Sequence, residues 1–460
     1  MLDPVVLAFE GREYRRSELD AAVSGFATVL RQRGVRPGDR VALMSSNRPE
    51  FVIALYGIWR AGAAVVLLSS SWKRAEVEHA LALTAPTHAV GDQPLLAELM
   101  PTLGLDEPFA PLSEPAGAVP DPDSDAVFVF SSGTTGMPKA VRHTHASFAT
   151  AVEHWGRALA LGPTDRLQIA TPPSHILGLL NIATVLDRGG YLRLHRRFDI
   201  DTLLAHIGID GITVEMAVAP IALAIASHPD LETFDLSSLR YIMWCATPVT
   251  PSIAESVTRR TGVSWVTAYG ASELPVLACN DLAGARLDTV GRAPAGVQLR
   301  VVSLDTGEPL PAGESGEIQA RSDSVMAEYL PAADTAAAFD DGWYRTGDVG
   351  HLDDDGYLRI TDRAKEMIKV RGFQVAPAEI ENVLLGHPAV ADCAVFGIPD
   401  VADGEAVVAA VTTRSDVDAT ELVALVEDSL ARYKRPRDIV FVEEIPRLPS
   451  GKVLRRVLKE

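Results

Sequence analysis

The chain has 460 residues, of which 47% are hydrophobic and 22% charged, and its formal net charge is −19. This length exceeds one ordinary domain, and the composition is that of a globular protein rather than a disordered one. The excess of negative charge argues against nonspecific nucleic-acid binding, because that binding requires positive charge that neutralises phosphates.

The three cysteines, Cys245, Cys279 and Cys393, lie far apart in apolar sequence. Their spacing indicates neither a metal site nor a disulfide framework, which is typical of a reducing compartment. Residues 1–11 lack the basic stretch of a secretory signal, and no apolar run reaches the roughly 20 residues of a membrane span. The sequence therefore predicts a cytoplasmic protein with no membrane partner.

Helical and strand patterns alternate through the first half of the chain. Apolar residues recur at helical spacing over 17–33, with Ser17 as a candidate N-cap and Gly34 as a candidate stop signal. Further elements are predicted as strands at 41–44 and 63–68 and a helix at 49–61. Such alternation predicts an α/β protein whose mainly parallel sheets are covered by helices.

The pattern of the sequence changes at residue 94 and again from Val297 onward. The segment 94–125, rich in Pro, Gly, Ala and acidic residues, is predicted to be a surface loop before a strand at 126–130. From Val297 onward, short β patterns with hairpin signals predict a β-rich layer. A candidate domain boundary lies at 361–369. After it, the predicted elements are helices at 377–385 and 419–431 and strands around 390–396 and 407–411, enough for a separate domain.

A loop rich in Gly, Ser and Thr follows the predicted strand at 126–130. It comprises Ser131, Ser132, Gly133, Thr134, Thr135, Gly136, Met137, Pro138 and Lys139. Glycines let the backbone approach a polyphosphate, whose oxygens can accept from N–H groups and hydroxyls and attract a lysine. The spacing is not that of the G-x-x-x-x-G-K-[ST] nucleotide loop, and a surface turn can have the same composition.

The string SSGTTGMPKAV resembles the phosphate-binding signature of the adenylate-forming enzymes. These include acyl-CoA and aryl-CoA synthetases, beetle luciferases and peptide-synthetase adenylation domains. The resemblance continues through Tyr269-Gly270-Ala271-Ser272-Glu273, Gly342-Trp343-Tyr344-Arg345-Thr346-Gly347-Asp348, Asp362-Arg363-Ala364-Lys365-Glu366 and Pro449-Ser450-Gly451-Lys452. Because these motifs are colinear from position 131 to 452, the chain is identified as a member of this superfamily, closest to the acyl-CoA and coumarate-CoA ligases.

The resemblance implies a domain organisation and a set of ligands. A large N-terminal adenylation domain would span residues 1–361, a hinge 362–366, and a small mobile α+β C-terminal domain 367–460. ATP, Mg²⁺ and CoA are the implied ligands. The ATP phosphates would be bound by Ser131, Ser132, Gly133, Thr134, Thr135, Gly136 and Lys139.

The resemblance also assigns roles to the later motifs. Tyr269 would lie near adenine, Ser272 near phosphate, and Glu273 would bind Mg²⁺, for which a carboxylate oxygen is a suitable ligand. Asp348 and Arg363 would hold the ribose hydroxyls as acceptor and donor. The alternatives are a surface glutamate at position 273 and a structural Asp–Arg pair at a domain junction.

Lys452 is the candidate for the chemical step. When a carboxylate attacks the α-phosphate of ATP, two anions meet, and a cation between them stabilises the transition state. By resemblance Lys452 supplies this cation from a mobile turn. The following basic residues, Arg455, Arg456 and Lys459, are predicted to form a solvated face.

Lys365 matches the hinge about which the small domain rotates in relatives. Beyond it, Arg371 and Gly372 are candidates for contacting CoA. Lys369 and Gln374 are candidates for lining the thioester-forming site. Solvated basic side chains are the alternative for this segment.

Three residues are candidates for the acyl pocket. His175 aligns with an aromatic residue or histidine at the acyl site, where it would gate access or lie beside the carboxylate; a buried structural histidine is the alternative. Trp244 and Cys245 replace the small residues that relatives carry beside the adenine and acyl pocket. Trp244 would either truncate this pocket or point away into the core.

The sequence thus predicts an ATP-dependent acid–thiol ligase that forms an acyl-AMP with release of pyrophosphate and then transfers the acyl group to CoA. The segment around His175 has no acid to hold an ammonium group, which favours a hydrophobic non-amino carboxylic acid. The alternatives are an adenylation enzyme that loads a carrier-protein phosphopantetheine, a luciferase-like oxygenase and a non-catalytic nucleotide-binding regulator. A monomer or a homodimer is expected.

Overall fold

The computed structural model describes residues 3–112, 120–131, 138–246, 251–363, 366–370, 373–400, 404–447 and 453–459. These residues form a large N-terminal domain and a small C-terminal domain, each with its own sheets. The strands of the large domain are β1 (Val5–Phe9), β2 (Arg12–Arg15), β3 (Arg40–Met44), β4 (Ala64–Leu68), β5 (His88–Gly91), β6 (Thr102–Gly104), β7 (Asp125–Ser131), β8 (Lys139–Thr144), β9 (Arg166–Ile169), β10 (Tyr191–Leu194), β11 (Val214–Ala217), β12 (Tyr241–Trp244), β13 (Trp265–Tyr269), β14 (Ala278–Cys279), β15 (Val297–Val302), β16 (Gly316–Ser322), β17 (Glu328–Leu330), β18 (Phe339–Asp340), β19 (Trp343–Leu352) and β20 (Leu358–Arg363). Its helices are α1 (Arg16–Gln32), α2 (Pro49–Arg60), α3 (Arg74–Thr84), α4 (Pro94–Leu99), α5 (His145–Ala158), α6 (Ile176–Asp187), α7 (Ile200–Asp210), α8 (Ala219–Ser227) and α9 (Pro251–Thr261).

The large domain is built on three sheets. The order of the first sheet is β14-β13-β12-β11-β9-β10-β1-β2, and that of the second is β17-β8-β7-β4-β3-β5-β6. Both are parallel in the middle and carry antiparallel strands at one or both ends. The third sheet, β15-β16-β19-β18 with β20 beside β19, is antiparallel. The predicted α/β fold with parallel sheets and a β-rich layer is confirmed.

Helices fill the space between the first two sheets. Alternate side chains of a strand point to opposite faces, so each sheet separates two clusters of buried residues. The largest cluster joins α1, α2, α5 and α6 to the inner faces of both sheets. The outer face of the first sheet packs against α7, α8 and α9, and that of the second against α3 and α4. This packing on both faces fixes the positions of the two sheets relative to each other.

The ends of α1 show one correct and one wrong prediction. The helix begins at Arg16, and Ser17 lies inside its first turn rather than at the N-cap. The carboxylate of Glu18 instead accepts the backbone N–H of Arg15 at 2.8 Å. Gly34 does end the helix, with a φ of +94° that favours glycine.

The predicted surface loop over 94–125 is wrong in its first part. Pro94 begins α4 rather than breaking the chain, as proline often does in the first helical turn. Leu96 is fully buried, and β6 extends the second sheet by pairing in parallel with β5. Residues 113–119 lie outside the described residues.

The small domain has its own sheet and core. Its elements are β21 (Ile368–Val370), β22 (Phe373–Val375), α10 (Pro377–Leu385), β23 (Val390–Asp400), β24 (Gly404–Thr413), α11 (Ala419–Ser429), β25 (Asp438–Phe441) and α12 (Arg455–Leu458). The sheet order is β22-β21-β24-β23, with β25 beside β24. The helix at 377–385 is as predicted, whereas both long strands extend beyond their predicted ends. The chain passes from the third sheet to this one between Arg363 and Ile368.

Across the described parts of the chain, the search for a helix long and apolar enough to cross a membrane finds none.

Candidate active site

The loop after β13 carries Ser272 and Glu273. Gly270 allows this loop to fold tightly, because a Cβ at that position would lie 2.0 Å from the carbonyl oxygen of Pro275. The N–H of Ala271 donates to the carbonyl of Leu274 at 3.0 Å and closes the turn. Glycine is therefore required for close backbone approach beside the predicted metal ligand.

Two hydrogen bonds tie this loop to the second sheet and its surroundings. His143 of β8 donates from Nε2 to the carbonyl oxygen of Ser272 at 2.8 Å. Burial lowers the pKa of His143 to about 4, so the ring is neutral and Nε2 carries its proton. The N–H of Met326 donates to the carbonyl oxygen of Glu273 at 2.7 Å. The loop is thus fixed from both sides.

The carboxylate of Glu273 is buried, with 7% of the residue exposed. Its Oε1 accepts a hydrogen bond from the hydroxyl of Tyr329 at 2.7 Å. No hydrogen bond or ion pair from the described residues reaches Oε2. A carboxylate oxygen left open in this way fits Mg²⁺, a hard cation that prefers oxygen ligands.

The described residues contain no cluster of three or more His, Cys, Asp or Glu side chains that could enclose a metal ion. A cation at Glu273 would therefore have to share its remaining coordination with water or with oxygens of another molecule. Mg²⁺ is commonly bound in this manner, through one or two carboxylates and the phosphates of a substrate.

Lys139 lies at the start of β8, directly after the phosphate loop. Its Nζ forms an ion pair with Oδ2 of Asp334 at 2.9 Å and lies 5.2 Å from the ring centre of Tyr329. Both charged side chains are about one third exposed. The lysine is therefore held by a carboxylate that water also reaches and by the ring of Tyr329, the residue whose hydroxyl contacts Glu273.

Asp348 lies between Tyr269 and Arg363. The hydroxyl of Tyr269 donates to Oδ2 of Asp348. Nε of Arg363 lies 3.1 Å from Oδ1, because the two residues face each other across β19 and β20. The pKa of the Tyr269 phenol is raised by burial and by the negative charge of Asp348, so this hydroxyl remains a donor. The structure thus brings together three residues from three predicted motifs.

His175 caps the start of α6. Its Nδ1 accepts the N–H of Leu177 at 3.4 Å. The residue is exposed, yet the protein atoms around the ring partly desolvate it and lower its pKa. The alternative of a buried structural histidine does not describe this residue, and its role at the acyl site stays a prediction.

Trp244 and Cys245 point to opposite faces of the first sheet. Trp244 is 1% exposed and packs in the cluster under α8 and α9, with its ring 5.4 Å from that of Trp265. Of the two orientations expected for Trp244, the one in which the side chain points away into the core describes this residue, so the structure does not place it in an acyl pocket. Cys245 belongs to the inner cluster, and burial raises the pKa of its thiol to about 12.

Several predicted residues lie outside the described residues: Ser132, Gly133, Thr134, Thr135, Gly136, Lys365, Arg371, Gly372 and Lys452. Of the thiolation candidates, Lys369 lies on β21 opposite Gln374 of β22. The backbone N–H of Lys369 donates to Oε2 of Glu405 at 2.7 Å. Their proposed roles stay predictions.

The predicted solvated face at the C-terminus is wrong for Arg455. Its guanidinium donates to Oε1 of Glu381 at 2.7 Å, to the carbonyl oxygen of Val395 at 2.9 Å and to the carboxylate of Glu366. Only 17% of the side chain is exposed. Arg455 therefore ties Glu366, the last residue of the predicted hinge, to α10 and β23 of the small domain.

Asp362, in β20 and the first residue of the predicted hinge, has a contact that the sequence did not predict. Its Oδ2 accepts the N–H of Ala378 in the first turn of α10 at 3.0 Å. Burial raises the pKa of Asp362 to about 6, although the N–H groups of Ala378 and Arg363 and the charge of Arg455 oppose the rise. The carboxylate thus joins the two domains.

The sequence analysis did not predict Tyr329, Asp334 or His143, because all three lie outside the motifs. Tyr329 lies 56 positions from the glutamate it contacts. Only the pairing of β17 with β8, which no local pattern reveals, brings it to the site.

Comparison with known proteins gives the same family for both domains. Residues 2–330 match the model of the AMP-binding enzymes, and residues 379–452 match that of the AMP-binding enzyme C-terminal domain. A feruloyl-CoA synthase from Amycolatopsis is 35% identical, over 95% of this chain and 92% of its own.

Solved structures are also similar over nearly the whole chain. ATP-bound MatB from Rhodopseudomonas palustris superposes with a TM-score of 0.93 at 27% identity, covering 99% of this chain and 95% of its own. The amide bond synthetase McbA from Marinactinospora thermotolerans has a TM-score of 0.93 at 30% identity, covering 100% and 97%. The chain therefore belongs to the AMP-binding enzymes, in the branch of the adenylate-forming superfamily that holds the acyl- and aryl-CoA synthetases.

Proposed function

We propose that the chain activates a hydrophobic, non-amino carboxylic acid with ATP and transfers the acyl group to CoA. The observation that carries this proposal is the buried carboxylate of Glu273, which has one oxygen held by the hydroxyl of Tyr329 and the other left open among the described residues. The ring of the same tyrosine lies 5.2 Å from Nζ of Lys139. The similarity to a feruloyl-CoA synthase and to a long-chain-fatty-acid–CoA ligase supports an aryl or alkyl acid as the substrate class.

In the first half-reaction the substrate carboxylate attacks the α-phosphate of ATP, forms the acyl-adenylate and releases pyrophosphate. Lys139 attracts the phosphates, and the pair of Asp348 and Arg363 binds the ribose as acceptor and donor. Mg²⁺ held by Glu273 supplies neutralisation of the phosphate charge when it is bound. Lys452 stabilises the transition state in which the two anions meet.

In the second half-reaction the thiol of CoA, as its thiolate, attacks the carbonyl of the adenylate and AMP leaves. Lys365 is the hinge that presents a different face of the small domain to the same site. Lys369 and Gln374, with Arg371 and Gly372, would then contact CoA and the forming thioester. The domain limits 1–361, 362–366 and 367–460 belong to this proposal.

A panel of carboxylic acids, assayed for pyrophosphate release with and without CoA, tests the proposal when the products are identified by mass spectrometry. An acyl-CoA product supports it. An adenylate transferred only to a phosphopantetheine carrier contradicts the CoA step, and no pyrophosphate with any acid contradicts the activation itself. An added amine tests amide formation, which the similarity to McbA makes the second candidate.

A single substitution separates the two half-reactions. Lys452→Ala removes the cation from adenylation, so we expect pyrophosphate release to fall by about 10²-fold, the scale for loss of one electrostatic stabiliser. Thioester formation from supplied acyl-adenylate should remain. Equal loss of both steps would contradict the assigned role of Lys452.

A further inference from the structure

We propose that Tyr329 is a positioning residue for adenylation: its hydroxyl holds the carboxylate of Glu273 so that one oxygen stays open for Mg²⁺, and its ring supports Lys139. This inference rests on the proposed function, because it assumes that Glu273 binds the metal. It adds a residue that none of the motifs contains.

One side chain contacts both charged groups of the site. The hydroxyl of Tyr329 lies 2.7 Å from Oε1 of Glu273, and Nζ of Lys139 lies 5.2 Å from the centre of its ring. β17 and β8 pair so that Tyr329 faces Val141, two residues after Lys139. The position of each charge relative to the other therefore depends on this tyrosine.

Tyr329 is itself held firmly. It is 9% exposed, and its backbone N–H donates to Oγ1 of Thr335 at 2.9 Å. Asp334, the residue before Thr335, forms the ion pair with Lys139. The same turn thus fixes the tyrosine and the counter-ion of the lysine.

The charge balance around Glu273 points to a ligand. Among the described residues, no Lys, Arg or His lies within ion-pair distance of its carboxylate. A buried carboxylate with one neutral donor and no cation is unfavourable unless a cation arrives with the substrate.

A fixed donor also explains why a flexible glutamate can serve here. A free glutamate side chain samples several rotamers, and ordering it costs free energy each time the metal binds. The hydrogen bond from Tyr329 imposes one orientation in advance, as outer groups do for the ligands of other metal sites.

Tyr329→Phe tests this role, because it keeps the ring under Lys139 and removes only the hydroxyl. Tyr241→Phe is the matched control: Tyr241 is buried in the same domain, and its hydroxyl donates to the carbonyl oxygen of Leu159 at 2.7 Å, away from the site. Each variant is assayed for pyrophosphate release against Mg²⁺ concentration. ATP binding is measured by calorimetry at the same Mg²⁺ concentrations.

For Tyr329→Phe we expect about a tenfold increase in the Mg²⁺ concentration needed for half-maximal ATP binding and pyrophosphate release, the lower end for loss of an outer-shell partner. Tyr241→Phe should leave both curves as in the unmodified protein. Both variants should unfold at similar temperatures, because each loses one buried hydrogen bond. Unchanged Mg²⁺ curves for Tyr329→Phe would overturn the inference.

Glu273→Gln separates this inference from the proposed function. If Glu273→Gln abolishes the Mg²⁺ dependence and Tyr329→Phe does not alter it, only the role of Tyr329 is wrong. If Glu273→Gln leaves the dependence intact, the metal role of Glu273 fails and this inference falls with it. In the double variant, Tyr329→Phe should add no further loss, since its effect passes through Glu273.

Discussion

Glu273 and Asp362 are two buried carboxylates that the protein stabilises in different ways. Glu273 lies on a loop fixed within the large domain and has one phenolic donor but no described cation. Asp362 lies where the domains join, accepts two backbone N–H groups and has Arg455 nearby. Under the proposed function the first carboxylate receives a cation with the substrate, whereas the N–H groups and Arg455 of the protein itself partly offset the burial of the second.

The substitution expected to disturb the Glu273 site most is Gly270→Ala. A Cβ would lie 2.0 Å from a backbone oxygen that cannot move aside cheaply, so the loop with Glu273 must shift. We expect pyrophosphate release to fall by about 10²-fold, as displacement of a catalytic group by 1 Å can cause.

Gly162→Ala is the control for Gly270→Ala, because nothing lies within 4 Å of its Cβ position. It should leave pyrophosphate release close to that of the unmodified protein. An active Gly270→Ala variant would show that the loop is not fixed in the way the hydrogen bonds indicate.

Arg455→Gln tests the charged contacts near Asp362, where the domains join. The substitution leaves Glu366 and Glu381 without their cation in a mostly buried setting, so we expect a loss of about 3 kcal/mol in the free energy of unfolding. Arg447→Gln, which removes an ion pair to Asp392 that is one third exposed, should cost less than about 1 kcal/mol. Denaturant unfolding measures both; equal losses would contradict the special role of Arg455.

A third buried carboxylate, Glu215, sharpens the comparison because it lies in the large domain away from both sites. Its Oε2 accepts from Nε2 of Gln168 at 2.6 Å, and burial raises its pKa to about 8. The folded state therefore binds this proton more tightly than the unfolded chain, and the associated stability is lost as pH rises through about 8.

Glu215→Gln removes that titration. The melting temperature of the unmodified protein should fall by a few degrees between pH 6 and pH 9 relative to the variant. The exposed residue Glu314 provides the control, since Glu314→Gln should leave the pH dependence unchanged. Parallel pH profiles for Glu215→Gln and the unmodified protein would show that Glu215 does not titrate in this range.

The parts that the sequence predicted correctly depend on local signals. The helix at 377–385 follows from a proline in its first turn and an apolar face, and both are visible within nine residues. The grouping of Asp348 with Arg363 was accessible because each lies in its own motif. The resemblance to the family predicted that these two residues act together, which local spacing alone does not predict.

The parts that failed depend on contacts across the chain. Arg455 looks like one of several basic residues near the C-terminus, and only the fold places it between Glu366 and Glu381. Likewise, Tyr329 reaches Glu273 through strand pairing. The orientation of Trp244 depends on strand register, since a shift of one residue would turn it to the other face.

The surroundings of the three cysteines, two of them buried and Cys279 partly so, have a consequence for self-modification. An acyl-adenylate acylates thiolates, and Cys245 lies in the segment beside the proposed acyl site. Burial raises the pKa of Cys245 and Cys279 to about 12 and that of Cys393 well above its usual range. Because the thiolate is the nucleophilic form, the enzyme's own sulfurs are poor acceptors, and the activated acyl group is kept for the incoming thiol.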